Sequence, residues 1–562
     1  MKQNLLFTLS IIAVLFMAPS CKKTGGKTGL LVPKNAAIVV HVNSASLSSK
    51  LSWDEIRQTN WFKELSKQTT DTMAQQLLAD PAVSGIDANA DFVIFIMKQG
   101  RGSYMAINGS LKDAAAYEAY AKKIGTGAAI SKDGDFSVMQ VQDAGVLSWN
   151  KSHFIYIADV PLPDMKGVFE GSRSSETFKF TADSLQQFGK DILTLKAGDR
   201  LDVDSRFAAL VKDGSDMHFW MNTGAYYGGL LGPVLSMMKL NVLLDDNISA
   251  SSVNFDNGKI TMDSKQYFGK EMSKLLSAYR SKPVGADVVN RIPSSDVIGA
   301  LVFNFPPEGI KEFLKVIGMD GMAGMLTAQT GFNIDDFIKA TKGDLLLAVS
   351  DVEMKEETDT VQLYDGGSSV HTSTKPDAKV LFATSVNDKA AFEKLIGLAA
   401  AQMKKAPMGK PGEITYKLEN NWFAAGNSAD YVNKFLSGSN NKSAIADKIS
   451  GHPIGLFLDL QKIFQIAAAD AKDTSAKAGI DAALKTWQDI VATGGEYEDK
   501  AIKFHAEINM VDKTTNSLKQ LNIFLNQMSI LYADKLKKNS IDYDMPRVDT
   551  AEIIPADSAR MN

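Results

Sequence analysis

The chain has 562 residues, 45% hydrophobic and 22% charged, with 61 basic against 65 acidic residues and a net charge of −4. This length and mixture exclude a disordered or fibrous chain and exceed what one core organises, so two or more globular domains are expected. Charges of both signs alternate along the sequence, which excludes a basic nucleic-acid-binding face.

Residues 1–20 read as a lipoprotein signal peptide. Lys2 supplies the charge, residues 5–17 (LLFTLSIIAVLFM) the apolar run, and Ala18-Pro19-Ser20 the small-residue cleavage site. The apolar run is too short to count as a spanning helix. Cys21 is the only cysteine and takes the first place after that site, so it is the expected lipidation residue. A diacylglycerol on its sulfur and an acyl group such as palmitate on the new N-terminus would anchor the chain stably, where one acyl chain binds only marginally. The leucine usual three places before a lipidated cysteine is replaced by Ala18. A single thiol excludes a disulfide framework. No later stretch approaches about 18 uninterrupted apolar residues, so no spanning helix is expected. Helical patterns separate the strands, which argues against a membrane barrel.

Residues 21–30 form a flexible tether rich in Lys, Gly and Thr. A first strand follows at 37–42 (AIVVHV), with Pro33 before it. Ser52 and Glu55 have capping-box spacing, so a helix is expected from Trp53. Strands are expected at 92–97 and 104–107 with a turn at Gly100-Arg101-Gly102, then a helix from Ser110 with Asp113 at its third position.

The same grammar recurs later. Ser110, Asp113, Tyr117 and Glu118 line up with Ser385, Asp388, Phe392 and Glu393. The stripe Tyr117/Tyr120/Ala121/Ile124 matches Phe392/Leu395/Ile396/Ala399 at helical spacing. Val32-Pro33…Val42-Asn43 lines up with Ile292-Pro293…Phe303-Asn304, and Gly85-Ile86-Asp87 with Gly331-Phe332-Asn333. Strands at 217–221 and 454–458 each lead into helical sequence. The strand at 259–265 precedes a helix at 271–279, as the one at 502–510 precedes a helix at 518–536. The expected fold is therefore α+β: two duplicated halves, 31–285 and 286–536, each with mainly antiparallel sheets and helices packed on one face. Residues 364–377 read as a polar hairpin tip, and 537–562 as a disordered polar tail.

Chemistry is sparse. Gly25-Gly26-Lys27-Thr28 lacks both the earlier glycine and the preceding strand of a phosphate loop. The six histidines (His41, His153, His218, His371, His452, His505) are scattered without thiols, against a zinc site. Asp202 and Asp204 begin like a calcium loop, but Phe207 stands where the loop requires glycine, so they are expected to start a helix. The adjacent pairs Asp245-Asp246, Asp335-Asp336 and Glu356-Glu357 point apart in any regular element and read as solvated. No nucleophile elbow occurs. Trp53, Trp61, Trp149, Trp220, Trp422 and Trp487 sit mostly within apolar patterns and read as core. Asp549-Thr550-Ala551 and Asp557-Ser558-Ala559 in the tail are similar to the O-glycosylation acceptor of bacteroidete periplasmic proteins. No catalytic residue, metal ligand or cofactor is expected.

The run Leu31-Val-Pro-Lys-Asn-Ala-Ala-Ile-Val-Val-His-Val42, with Lys50–Ile56, Gly85-Ile86-Asp87 and Gly109–Asp113, resembles a bacteroidete lipoprotein family catalogued as domain of unknown function 4836. The resemblance implies a lipidated envelope protein of Gram-negative bacteria and carries over no catalytic residue. An acidic run after the lipidated cysteine marks surface export in such bacteria. Here Lys22-Lys23 follow, which favours the periplasmic leaflet of the outer membrane. The expected function is a non-enzymatic, membrane-anchored binding or scaffolding module for an unknown protein or envelope ligand. A carrier of an amphiphile and an enzyme with a site assembled from scattered residues are the alternatives.

Overall fold

The computed structural model describes residues 30–68, 81–100, 102–124, 128–141, 145–160, 178–227, 240–362, 368–403, 414–438, 442–471 and 473–543. The signal peptide, Cys21, nearly all of the tether, the turn residue Arg101 and the tail from 544 onward lie outside them.

Strand β1 (Ile38–Val42) is followed by three helices, α1 (Ser44–Lys50), α2 (Trp53–Arg57) and α3 (Asn60–Gln68). The capping box at α2 forms as its spacing requires: the Ser52 hydroxyl accepts from the Glu55 amide while Glu55 reaches back to the Ser52 amide. The hairpin β2 (Phe92–Gln99) and β3 (Gly102–Ser110) leads into α4 (Ala114–Ile124). A meander of β4 (Ile130–Asp133), β5 (Phe136–Val141), β6 (Gly145–Trp149) and β7 (His153–Asp159) precedes α5 (Ala182–Leu193) and α6 (Ser205–Val211). Then come β8 (Met217–Asn222), β9 (Ile248–Asp256), β10 (Lys259–Tyr267) and α7 (Lys270–Ala278).

The later part begins with α8 (Ala286–Val289), β11 (Val297–Asn304), α9 (Pro307–Val316), α10 (Asp320–Thr330) and α11 (Ile334–Ala340). The hairpin β12 (Thr341–Gln362) and β13 (Ser368–Val386) leads into α12 (Lys389–Met403), β14 (Thr415–Glu419) and β15 (Trp422–Gly426). After α13 (Ala429–Ser437) and α14 (Ala446–Ile449) come β16 (Ile454–Asp459), α15 (Leu460–Asp470) and α16 (Thr474–Thr486). The last elements are β17 (Trp487–Glu498), β18 (Ala501–Met510) and α17 (Ser517–Tyr543).

The strands among the described residues join one 18-stranded antiparallel sheet. From one edge it runs β4-β5-β6-β7-β3-β2-β1-β8-β9-β10. It crosses from β10 to β18 and continues β17-β16-β11-β12-β13-β15-β14. The stretch β6-β7-β3-β2-β1-β8-β9-β10 thus has the same order as β14-β15-β13-β12-β11-β16-β17-β18. Registers agree as well. Val42 faces Phe92 and Met217, as Phe303 faces Leu345 and Ile454. Ser110 faces His153, as Ser385 faces Trp422. Where the two stretches meet, Asp263 faces His505, with Met262 opposite Ala506 and Ser264 opposite Phe504. Each stretch also lends its last helix to the other. On α17, Asn522 accepts from the Trp61 indole at 3.0 Å and Lys519 pairs with Glu55 at 2.7 Å. Next to α7, Tyr279 packs so close to α9 that a Cβ on Gly309 would fall 2.9 Å from its own Cβ.

Helices cover both sheet faces in the first stretch, not one face as expected. Along β2, Phe92 belongs to the cluster with Leu47, Trp53, Phe62 and Tyr117, while Val93 and Phe95 belong to the opposite cluster with Leu185, Ile192 and Phe207. Successive residues of a strand point to opposite faces, so the unbroken apolar run FVIFIM requires a cover on each side.

Three boundaries also differ from expectation. Ser110 and Ser385 still pair within β3 and β13, and the helices begin beyond Asp113 and Asp388. The Asp113 carboxylate accepts from the Ala115 and Ala116 amides, and Asp388 from Ala391, so aspartate is the cap in both places. Residues 368–377 of the expected hairpin tip ladder with 353–362, extending β12–β13 as a ribbon, while 364–367 lie outside the described residues. Helix α17 runs to Tyr543, past the expected boundary at 536.

Candidate functional site

Most sequence candidates have structural duties. Asp204 caps α6, accepting from the Arg206 amide at 2.8 Å, and the Arg206 guanidinium bridges Asp204 and Asp246. Burial raises the Asp204 pKa, but the Arg206 hydrogen bonds outweigh it and hold the carboxyl below its usual range. Trp53, Trp149, Trp220 and Trp422 are buried, Trp61 and Trp487 half-buried. Asp335 and Asp336 point apart, to Lys311 and Lys394. His452 pairs with Glu496 at 2.6 Å. His505 lies between Asp263 and Glu507; burial lowers its pKa, yet those two hydrogen bonds raise it overall. Among the described residues no group of three or more His, Cys, Asp or Glu side chains could hold a metal ion, and no helix is long and apolar enough to cross a membrane. A cavity of about 430 Å³ beside Ser294, Asp351, Tyr431 and Lys434 is polar, but Ser294 donates to Asp351 and Lys434 pairs with Asp430.

Two places stand out. The first is polar and was invisible in the sequence. His41 on β1 and His218 on β8 lie 177 residues apart, yet face each other in the strand register. They are 3% and 2% exposed, with their Nδ1 atoms 2.9 Å apart. The outer nitrogens each meet a carboxylate: His41 Nε2 is 3.3 Å from Asp91, and His218 Nε2 is 2.7 Å from Asp213. The result is a chain Asp91–His41–His218–Asp213. Burial pushes the His218 pKa down, the Asp213 hydrogen bond opposes that, and the His41 charge lowers it again. Asp213 is raised by burial but held lower overall by His218 and the Ser215 amide.

The second is apolar and lies on the sheet face of β11, β12 and β13. Its counterpart in the first stretch is more deeply buried. Ile94 on β2 lies between Val40 and Ile107, as Leu347 on β12 lies between Leu301 and Phe382. Ile107 is 0% exposed, whereas Phe382 is 38% and Leu347 43% exposed. Aromatic rings connect this face to helices at two edges. At one, Phe303 meets Phe305, which stacks on Phe337 of α11 at 6.2 Å. At the other, Phe392 of α12 meets Phe423 of β15 at 5.2 Å. Leu345 and Leu347 stand between those edges, because β12 lies between β11 and β13 in the sheet. The equivalent helix α4 packs more tightly: Tyr117 is buried against Trp149 and Phe154. This arrangement can hold an apolar group.

No curated protein matches the chain. Among solved structures it is similar to crystal forms of TP0453. Form III has 9% identity and a TM-score of 0.25, over 46% of this chain and 86% of that one. Form IV has 10% identity and a TM-score of 0.24, over 45% and 87%. Form I has 11% identity and a TM-score of 0.25, over 46% and 85%. Likeness at that level carries no argument about function. The family described as a domain of unknown function (DUF4836) matches residues 29–364, well over half of the chain, and the chain belongs to that family.

Proposed function

We propose that this protein is a non-enzymatic binding protein of the cell envelope, anchored by a lipid on Cys21, whose later half receives the apolar portion of an amphiphilic ligand. The carrying observation is the open face around Leu347 and Phe382, at positions whose counterparts are Ile94, half-buried against the core of the first stretch, and Ile107, fully buried in it. Burying a Leu or Phe side chain contributes about 1.5–3 kcal/mol. Leaving Leu347, Val380 and Phe382 roughly 40% exposed therefore forgoes on the order of 2–3 kcal/mol that a bound hydrocarbon could recover. The helices already meet both edges of the face, so a thin acyl chain suits the space better than a protein surface does. The lipid anchor, the outer membrane and its periplasmic leaflet rest on the sequence: the signal, the sole cysteine and Lys22-Lys23. The shared strand order and register support descent of 31–285 and 286–536 from one duplicated unit.

Titration of the mature protein with a fluorescent fatty acid tests this reading. Leu347→Glu and Phe382→Asp should each weaken binding at least tenfold while leaving the melting temperature within a few degrees. Absence of binding by the unsubstituted protein, or binding indifferent to both substitutions, refutes it. A scaffolding role is favoured by a different feature, the ribbon at 353–362 and 368–377, which has no third strand beside it among the described residues. Two-stranded ribbons alone are marginally stable in water. Deleting 354–376 should abolish capture of envelope proteins if that role is the principal one, and leave fatty-acid binding intact.

A further inference from the structure

We propose that His41 and His218 share one proton between their Nδ1 atoms, as a singly charged pair between Asp91 and Asp213, and so latch the β1–β8 seam in a pH-dependent way. The argument is a proton count. Two rings present four nitrogens, and each contact dictates what stands there. The Nδ1–Nδ1 contact of 2.9 Å needs one hydrogen. The outer contacts at Asp91 and Asp213 each need an N–H, because a carboxylate only accepts. The total is three, one more than two neutral imidazoles carry and one fewer than two imidazoliums carry. With two protons, either an unprotonated nitrogen faces a carboxylate or two nitrogen lone pairs face each other across 2.9 Å; with four, two N–H groups do.

The surroundings leave no other partner for the extra charge. The strands flanking the pair contribute Val93 beside His41 and Ser252 beside His218, neither of them ionisable. The next carboxylate along the seam, Asp216, is fully buried but already occupied. It accepts from Ser46 Oγ at 2.6 Å, Lys50 Nζ at 2.5 Å and the Phe255 amide at 2.6 Å. The downward pKa of His218 agrees with refusal of a second proton. Such a pair titrates as a unit with its two steps pushed apart. Below about pH 6 the unfolded chain holds two protons on these histidines and the folded pair one, so stability falls as pH falls.

The later half supplies an internal control. By register, Val302 and Gly455 occupy the places of His41 and His218. Nitrogen-15 spectra of the mature protein, which has only six histidines, should show at pH 7 one coupled pair carrying three ring protons. Amide exchange, corrected for intrinsic rate, should lose at least tenfold protection in β1 and β8 between pH 7 and 4.5. In β11 and β16 the loss should stay under threefold. Both rings neutral at pH 7 with independent titrations, or equal losses at both seams, would overturn the proposal. So would a one-to-one zinc complex that shifts both rings, since the pair would then be a metal site. His218→Gln, if it folds, should remove the difference between the seams.

Discussion

Tyr117 and Phe392 occupy equivalent places on α4 and α12, four residues after their capping aspartates, and their rings face Phe154 and Phe423 at 5.3 and 5.2 Å. Those partners are equivalent too, since Phe154 faces Gly109 in the ladder as Phe423 faces Thr384. Truncating either ring to alanine is the same perturbation in two environments. Tyr117 is 2% exposed and also packs on Trp149 at 5.6 Å and Tyr120 at 6.1 Å. Removing a fully buried aromatic costs the transfer energy plus that of the cavity left behind, about 3–5 kcal/mol. Phe392 is only half-buried, so less transfer energy is lost and solvent can enter the gap. Its loss should cost about 1–2 kcal/mol. Urea unfolding followed by tryptophan fluorescence reads both, with Trp149 a local reporter for the first. Tyr117→Ala should lower the midpoint at least twice as far as Phe392→Ala. Equal costs would mean that the later face is packed as tightly as the first, and the reasoning that leaves it open to a ligand would fail.

Cys21→Ala should move the protein from the membrane fraction to the soluble one, or leave its signal uncleaved; a processed variant still in the membrane contradicts the anchor. Gly85 and Gly331 both have φ of +75°, which a Cβ penalises by about 1–2 kcal/mol. At Gly85 that Cβ would also sit 2.2 Å from the Asp113 carbonyl oxygen, whereas at Gly331 it meets only Leu398 at 3.3 Å. Alanine at 331 should thus cost about 1–2 kcal/mol and alanine at 85 clearly more, and equal shifts in urea midpoint would count against this. Asp204 contributes stability above the ordinary carboxylate pKa, near 4, and loses it as pH falls through its lowered folded value. Arg206→Met should therefore cost about 2 kcal/mol at pH 7 and little at pH 2; the same cost at both would show that packing on Trp220 and Tyr267, not charge, is what it contributes.

Much of the architecture was written locally. The Ser52–Glu55 box and the paired Gly-apolar-Asx turns each depend on neighbours in the chain, and each is found where the local signal put it. The helices after β3 and β13 begin three residues later than their capping pattern suggests for one non-local reason: Ser110 and Ser385 have cross-strand partners, which a capping pattern cannot reveal. Cover on both faces of β2 is legible in its unbroken apolar run FVIFIM. The histidine chain had no local signal at all. Its members meet because β1 and β8 become neighbours and their register sets His41 opposite His218, a consequence of long-range pairing alone. The open face is equally non-local: Leu347 and Phe382 look like core in sequence, as Ile94 and Ile107 do. Apolar patterning determines which side chains seek cover; only the tertiary placement of helices decides which of them obtain it.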